Sequence, residues 1–169
     1  MAYDIHPCAW PEERLLAACH EERWHGGGVG GQHANKTSSG LRLTWQAEPS
    51  IRAQADEERD RLVNRRRAVR RLRLQLATHQ RGGSDLAWLD SHRQGAGFKV
   101  SAQAKDLAQV SCVLLDALET AAGALAEAAA SCSLSNSCFV RSLAIDKLVW
   151  QAAQTIRRSH ELSELRRPK

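Results

Sequence analysis

Residues 26–31 of this 169-residue chain contain five glycines, in the run Gly26-Gly27-Gly28-Val29-Gly30-Gly31. Such a run forbids regular secondary structure there, because glycine loses more backbone freedom on ordering than any other residue and contributes no side chain to a core. It also lets another molecule approach the main chain closely. Gln32, His33, Asn35 and Lys36 follow within five positions. A stretch of this kind is either slack surface loop or contact surface, and the sequence on either side has to decide between them.

Before the glycines, Pro11-Glu12-Glu13 has the form of a helix start, with proline and acids in the first turn. Cys19 to Trp24 is short enough to be a strand entering the loop. After it, Leu41, Leu43 and Trp45 alternate with Arg42 and Thr44, the period of a half-buried strand. Pro49 marks a turn, and Ile51-Arg52-Ala53 is expected to pair back as a third strand. From Asp56 the period becomes helical: Leu62, Val69, Leu72 and Leu76 form one apolar stripe. Arg65, Arg66, Arg67, Arg70, Arg71 and Arg73 cover the rest of the cylinder, so this helix should pack one side on the sheet and turn a broad cationic side outward.

Charge is informative through its distribution. Arg59 to Arg81 hold nine arginines and one aspartate, a local balance of +8 that leaves −3 for the rest of a chain whose formal net charge is +5. A concentrated arginine patch points to a polyanion, most often nucleic acid. The bland alternative is a solvated helix face.

Residues 82–101 read as a linker with a short turn at Leu86–Leu89. Leu107, Val110, Leu114, Leu118, Ala121 and Leu125 then predict one long helix, rich in alanine. Ser131 to Ser137 break it, Phe139, Val140 and Leu143 begin another, and Asp146 is placed to cap a last helix through Ile156. Ala129, Leu134, Ser135 and Phe139 fall at helix-turn-helix spacing, although Ser133 stands at the turn glycine and Ser142 at a later apolar position. A nucleic-acid reader and a plain helical bundle both fit these residues.

Five cysteines at 8, 19, 112, 132 and 138 are an odd number with no Cys-x-x-Cys pair, so neither a disulfide framework nor a zinc knuckle is indicated. Cys19-His20 with Cys8 and His25 could in principle hold a metal, but their irregular spacing speaks against it. Reduced, mostly buried thiols in a cytoplasmic protein are expected, with no metal and no cofactor. No run approaches the roughly 18 apolar residues of a membrane span, and no charged-then-apolar leader is present.

With these pieces in order, Gly27 to Trp45 resembles the peptidyl-tRNA hydrolase motif of the class I peptide chain release factors. Gly30-Gly31-Gln32 stands at the family's GGQ triplet, and His33, Asn35 and Thr37 match residues that follow it. Glu58-Arg59, Asn64-Arg65 and the arginine helix fall where the family has its basic segment. The likeness covers residues 19–78. Trp24, His25 and Val29 depart from the residues usual before the triplet. The resemblance implies an α+β fold: a small antiparallel sheet bearing a GGQ loop and a basic helix over residues 1–81, then the linker, then a helical region over 102–169. The size suggests the small ribosome-rescue proteins that lack a codon-reading domain.

The activity implied is hydrolysis of the ester between nascent peptide and tRNA within the ribosome. Water attack develops negative charge on oxygen, which a placed donor stabilises. By resemblance, Gly30 and Gly31 let the backbone reach the ester, the Gln32 N–H stabilises the departing 3′ oxygen, and the Gln32 side chain positions the water. His33, Asn35, Lys36, Thr37, Arg65, Arg66, Arg67, Arg70 and Arg71 are candidate RNA contacts, worth less as salt rises. The partners implied are peptidyl-tRNA and the large-subunit rRNA of the peptidyl-transferase centre, with no membrane. The alternative from another class is a non-catalytic ribosome- or RNA-binding protein that uses the arginine helix. A DNA-binding regulator built on residues 102–169 is more distant.

Overall fold

The computed structural model describes residues 5–24, 39–93, 95 and 100–168. The described chain is α+β and forms two compact units. Trp10–Leu76 make the first; Met1–Ala9 together with Ala77–Lys169 make the second. In chain order the first unit is thus inserted between two pieces of the second.

The first unit opens with helix α1 (Glu12–Ala17), started at Pro11 with Glu12 and Glu13 in its first turn. Strands β1 (Cys19–Trp24), β2 (Gly40–Trp45) and β3 (Arg52–Ala55) follow as an antiparallel sheet in the order β1-β2-β3. The alternation in β2 has its expected consequence: Leu41, Leu43 and Trp45 are buried. Opposite them, Ala55 pairs with Leu41 and Ala53 with Leu43, so small residues on β3 face large ones on β2. The β2–β3 turn closes through Trp45 N–H to Ile51 O, 2.9 Å. Trp45 also packs against Trp10, with ring centroids 5.7 Å apart, and the Arg14 guanidinium lies 3.7 Å over Trp10.

Helix α2 (Arg61–His79) runs from this unit into the next. Its buried positions are Asn64, Ala68, Val69, Leu72, Leu74, Leu76 and Ala77. Leu62, expected in the apolar stripe, is 62% exposed instead. It lines up in angle with Val69 but sits in the helix's first turn, where Asn64 takes the inward position with a polar network.

The second unit is helical: α3 (Leu86–Ser91), α4 (Leu107–Thr120), α5 (Leu125–Ser131), α6 (Asn136–Leu143) and α7 (Lys147–Ser159). α4 is its centre, buried from Leu107 to Leu118 on nearly every side, as befits a helix whose residues are mostly apolar. α3, within residues 82–101, carries a fully buried Leu89. The single long helix expected through Leu125 is two helices. Gly123 is the cause: its φ is +77°, and its N–H turns back to Leu118 O at 2.8 Å, a helix-ending arrangement that glycine favours. A Cβ there would also meet Leu162 Cδ1 at 3.1 Å.

Between α5 and α6, Ser133 adopts φ +50° at the turn, and Ser135 caps α6 by accepting from Cys138 N–H. Ala129, Leu134 and Phe139 are buried around this turn. Asp146 caps α7, accepting from Leu148 N–H at 2.7 Å. The basic tail folds back on α7: the Gln154 amide both donates to Leu165 O and accepts from Leu165 N–H, each at 2.9 Å. Among the described residues no helix is long and apolar enough to cross a membrane.

Candidate functional site

Pairing of β1 with β2 runs to Trp24↔Gly40. The chain between these partners carries Gly30, Gly31, Gln32, His33, Asn35, Lys36 and Thr37. All seven lie outside the described residues. What is described is the frame from which they spring.

That frame converges on Asn64, a fully buried side chain in the first turn of α2. Its amide nitrogen donates to Ser39 O at 3.0 Å, to Ser39 Oγ at 3.3 Å and to Glu58 O at 2.8 Å. Its Oδ1 accepts from Glu58 N–H at 3.0 Å. Ser39 Oγ in turn donates to Glu58 O at 2.5 Å. One asparagine therefore ties the segment entering β2 to the segment entering α2. Asp60 accepts from Leu62 N–H at 2.7 Å and starts the helix itself. A buried amide with donors and acceptor all engaged holds its neighbours in a single arrangement. The sequence places Asn64 in the likeness but does not announce this role; a polar residue on the inward side of an apolar stripe is the signal that could have found it.

The arginines of α2 do not form one free cationic face. Arg67 pairs with Glu58 at 2.7 Å and approaches Glu57 at 3.9 Å. Arg71 pairs with Glu57 and donates to Gln54 O at 2.6 Å. Arg65 turns toward Glu12 on α1, 3.9 Å away, and Arg61 toward Glu21 on β1 at 3.2 Å. Arg70 is half-buried, whereas Arg66 is exposed and makes no ion pair among the described residues. The hydrogen bond from Arg71 holds the Glu57 carboxyl below the usual carboxylate range. Each exposed pair is worth about 0–1 kcal/mol, so an incoming phosphate can compete for these guanidinium groups. Glu57 and Glu58 are counter-charges that a census beginning at Arg59 leaves out.

Of the weak metal set, His25 lies outside the described residues. Cys19 donates its thiol proton to Leu15 O at 3.1 Å, and burial pushes its pKa up to about 11. It is held as a neutral thiol.

Residues 17–103 match the RF-1 domain family, a stretch that contains the sheet, α2, α3 and the glycine-rich connection. The chain is 36% identical over 76 residues to the peptide chain release factor 1 of Dictyoglomus thermophilum and to that of Dictyoglomus turgidum, covering 45% of this chain and 20% of each relative. It is 33% identical over 66 residues to the peptide chain release factor 1 of Akkermansia muciniphila, covering 39% of this chain and 17% of that one. The chain thus spans about a fifth of the length of the curated relatives it matches. No solved structure matches it.

Proposed function

Because this chain belongs to the RF-1 domain family, we propose that it hydrolyses peptidyl-tRNA without reading a codon, releasing nascent peptide from stalled ribosomes in the cytoplasm. The observation that carries the reading is that Gly30-Gly31-Gln32 falls inside the matched stretch, on a connection whose base closes at Trp24↔Gly40 and is fastened by Asn64. Such a fastening supports delivery of the triplet to an ester held by RNA in the peptidyl-transferase centre. Gly30 and Gly31 allow the close approach, and the Gln32 backbone N–H meets the charge developing on the leaving 3′ oxygen. No protein acid, base, metal or cofactor has a part in this chemistry. His33, Asn35, Lys36 and Thr37 contact rRNA beside the ester. Arg65, Arg67 and Arg71 exchange their carboxylate partners for phosphates, and Arg66 and Arg70 add phosphate contacts of their own, a binding contribution that weakens with salt.

The test is peptide release from ribosomes stalled on a sense codon, on a stop codon and on a message that ends in the P site. Equal release from all three is expected, with Gln32→Ala and Gly31→Ala slower by about 100-fold or more. Release by Gln32→Ala at the wild-type rate overturns the hydrolytic reading. Release confined to the stop codon overturns codon independence. Salt-sensitive ribosome binding without release identifies the non-catalytic RNA-binding alternative.

A further inference from the structure

The release chemistry uses nothing from the first nine residues, yet these supply two of the three members of a buried His/Cys cluster. His6, Cys8 and Cys112 are 4%, 3% and 1% exposed. One ligand atom from each lies within 4.8 Å of the others. The fold gathers them by two devices. A single 3-10 turn, Pro7–Ala9, sets His6 beside Cys8, and His6 N–H donates to Gly83 O at 3.2 Å. Cys112 comes from the middle of α4, the central helix of the same unit.

The hydrogen bonding of the cluster is incomplete. His6 Nδ1 accepts from Cys8 N–H at 3.1 Å. Its other ring nitrogen, Nε2, is buried with no hydrogen-bond partner. A buried polar atom without a partner is disfavoured, and here it stands in the company of two thiols. Cys8 Sγ makes a long, 3.9 Å contact with Ala108 O.

We propose that His6, Cys8 and Cys112 bind one zinc ion, a water molecule taking the fourth tetrahedral position. Two thiolates and an imidazole are a soft to borderline donor set, which rejects magnesium and calcium. Charge sets Cu⁺ aside: two thiolates neutralise Zn²⁺, whereas Cu⁺ would leave a net negative charge in the interior. Tetrahedral zinc, with Zn–S of about 2.3 Å and Zn–N of about 2.0 Å, holds its donors roughly 3.5–3.8 Å apart. Donors within 4.8 Å need draw in by about 1.3 Å at most. Both thiols lose their protons on binding, so each ion taken up releases two. Coordination through Nε2 moves the ring proton to Nδ1 and gives up the bond from Cys8 N–H. The hydrogen bond with Cys8 and burial push the Cys112 thiol up.

The ion would join residues 5–9 to α4 across the whole inserted unit, since the chain from Trp10 to Leu76 lies between Cys8 and Cys112. A link closing so long a loop removes much freedom from the unfolded chain. Zinc should therefore raise the stability of the helical unit.

The full chain, purified under reducing conditions, should carry one zinc per molecule by elemental analysis. After chelation, Co²⁺ should give thiolate-to-cobalt charge-transfer bands and the intense d–d absorption of a tetrahedral site. Cys8→Ser and Cys112→Ser should lose both, and Cys138→Ser should retain them. Should the first two variants fail to fold, ¹⁵N spectra of the wild type decide, because zinc must shift the His6 Nε2 resonance and move the ring proton to Nδ1. Fully reduced protein that shows no cobalt bands overturns the site. So do bands that survive in folded Cys112→Ser, or a His6 ring that zinc leaves unchanged.

Discussion

Asn64 and His6 are both buried polar side chains, one in each unit, and their surroundings treat them oppositely. Every hydrogen-bonding group of Asn64 is engaged, by Ser39 on one side and Glu58 on the other. His6 has one ring nitrogen engaged and one left over, aimed among thiols. A satisfied buried amide is a brace: its own bonds are complete, so its work is to fix the backbone segments that supply them. An unsatisfied buried imidazole is incomplete until something arrives. The difference teaches that a polar residue in a core is read by its remaining valence as much as by its burial.

The comparison breaks first at Asn64. Asn64→Ala leaves Ser39 O and Glu58 N–H without their side-chain partner in part-buried surroundings, while Glu58 O keeps the Ser39 hydroxyl. At about 1–3 kcal/mol for each stranded group, partly relieved by relaxation, the expected loss is about 3–5 kcal/mol. Urea unfolding of the full chain measures it. Asn64→Asp keeps the acceptor for Glu58 N–H but cannot donate, and should fall between Asn64→Ala and the wild type. If Asn64→Ala costs less than about 1 kcal/mol, the network is not a brace.

Neither residue could be valued this way from the sequence. The sheet was legible because alternation at Leu41, Leu43 and Trp45 depends only on residues within one strand, and the caps at Asp146 and Ser135 are equally local. The GGQ stretch was legible as a motif, its residues being contiguous. What failed depended on tertiary company. Leu62 has the right angle for the stripe but lies in the first turn, where Asn64 faces inward. The spacing that ran through Ala121 to Leu125 missed the positive φ of Gly123, because helical periodicity alone does not register a glycine stop. The arginine helix looked unopposed until Glu57, Glu58, Glu12 and Glu21 were brought beside it. His6 and Cys8 stand two positions apart, with Cys112 more than a hundred residues away. Only folding makes these three a cluster.

A second test sharpens the comparison with a thiol that belongs on the braced side. Cys19 is buried and gives its proton to Leu15 O, so it should ignore zinc yet respond to alkali. Its pKa in the folded chain, about 11, stands above the ordinary 9.0. The neutral thiol's stabilisation is therefore complete below pH 9 and is lost progressively as pH rises toward 11, where the unfolded chain ionises and the folded one does not. The gap corresponds to about 2–3 kcal/mol. Cys112 and Cys132 are also pushed up, so wild-type stability should fall by more than this. The difference between wild type and Cys19→Ala across that window isolates the share of Cys19. Equal alkaline slopes in the two proteins would show that this thiol is not held neutral by the fold.

The smallest expected effect bears on His6 itself. In protein stripped of metal, His6→Leu removes an imidazole whose Nε2 has no partner and replaces it with an apolar group that the buried site accepts. The debit is one hydrogen bond, from Cys8 N–H to Nδ1, and the credit is relief of a stranded polar atom. The two are of similar size, so stability should change by no more than about 1 kcal/mol. Asn64→Leu, an apolar replacement at the braced position, should by contrast be as damaging as Asn64→Ala, because it strands partners that His6→Leu does not. With zinc present the ordering changes: wild type gains stability with metal concentration, while His6→Leu gains much less, having lost its only nitrogen donor. Thermal melts of both proteins, with chelator and with zinc, separate these outcomes. A His6→Leu protein that is severely destabilised even in chelator would place His6 among the braces, as a packed side chain whose second nitrogen is simply tolerated.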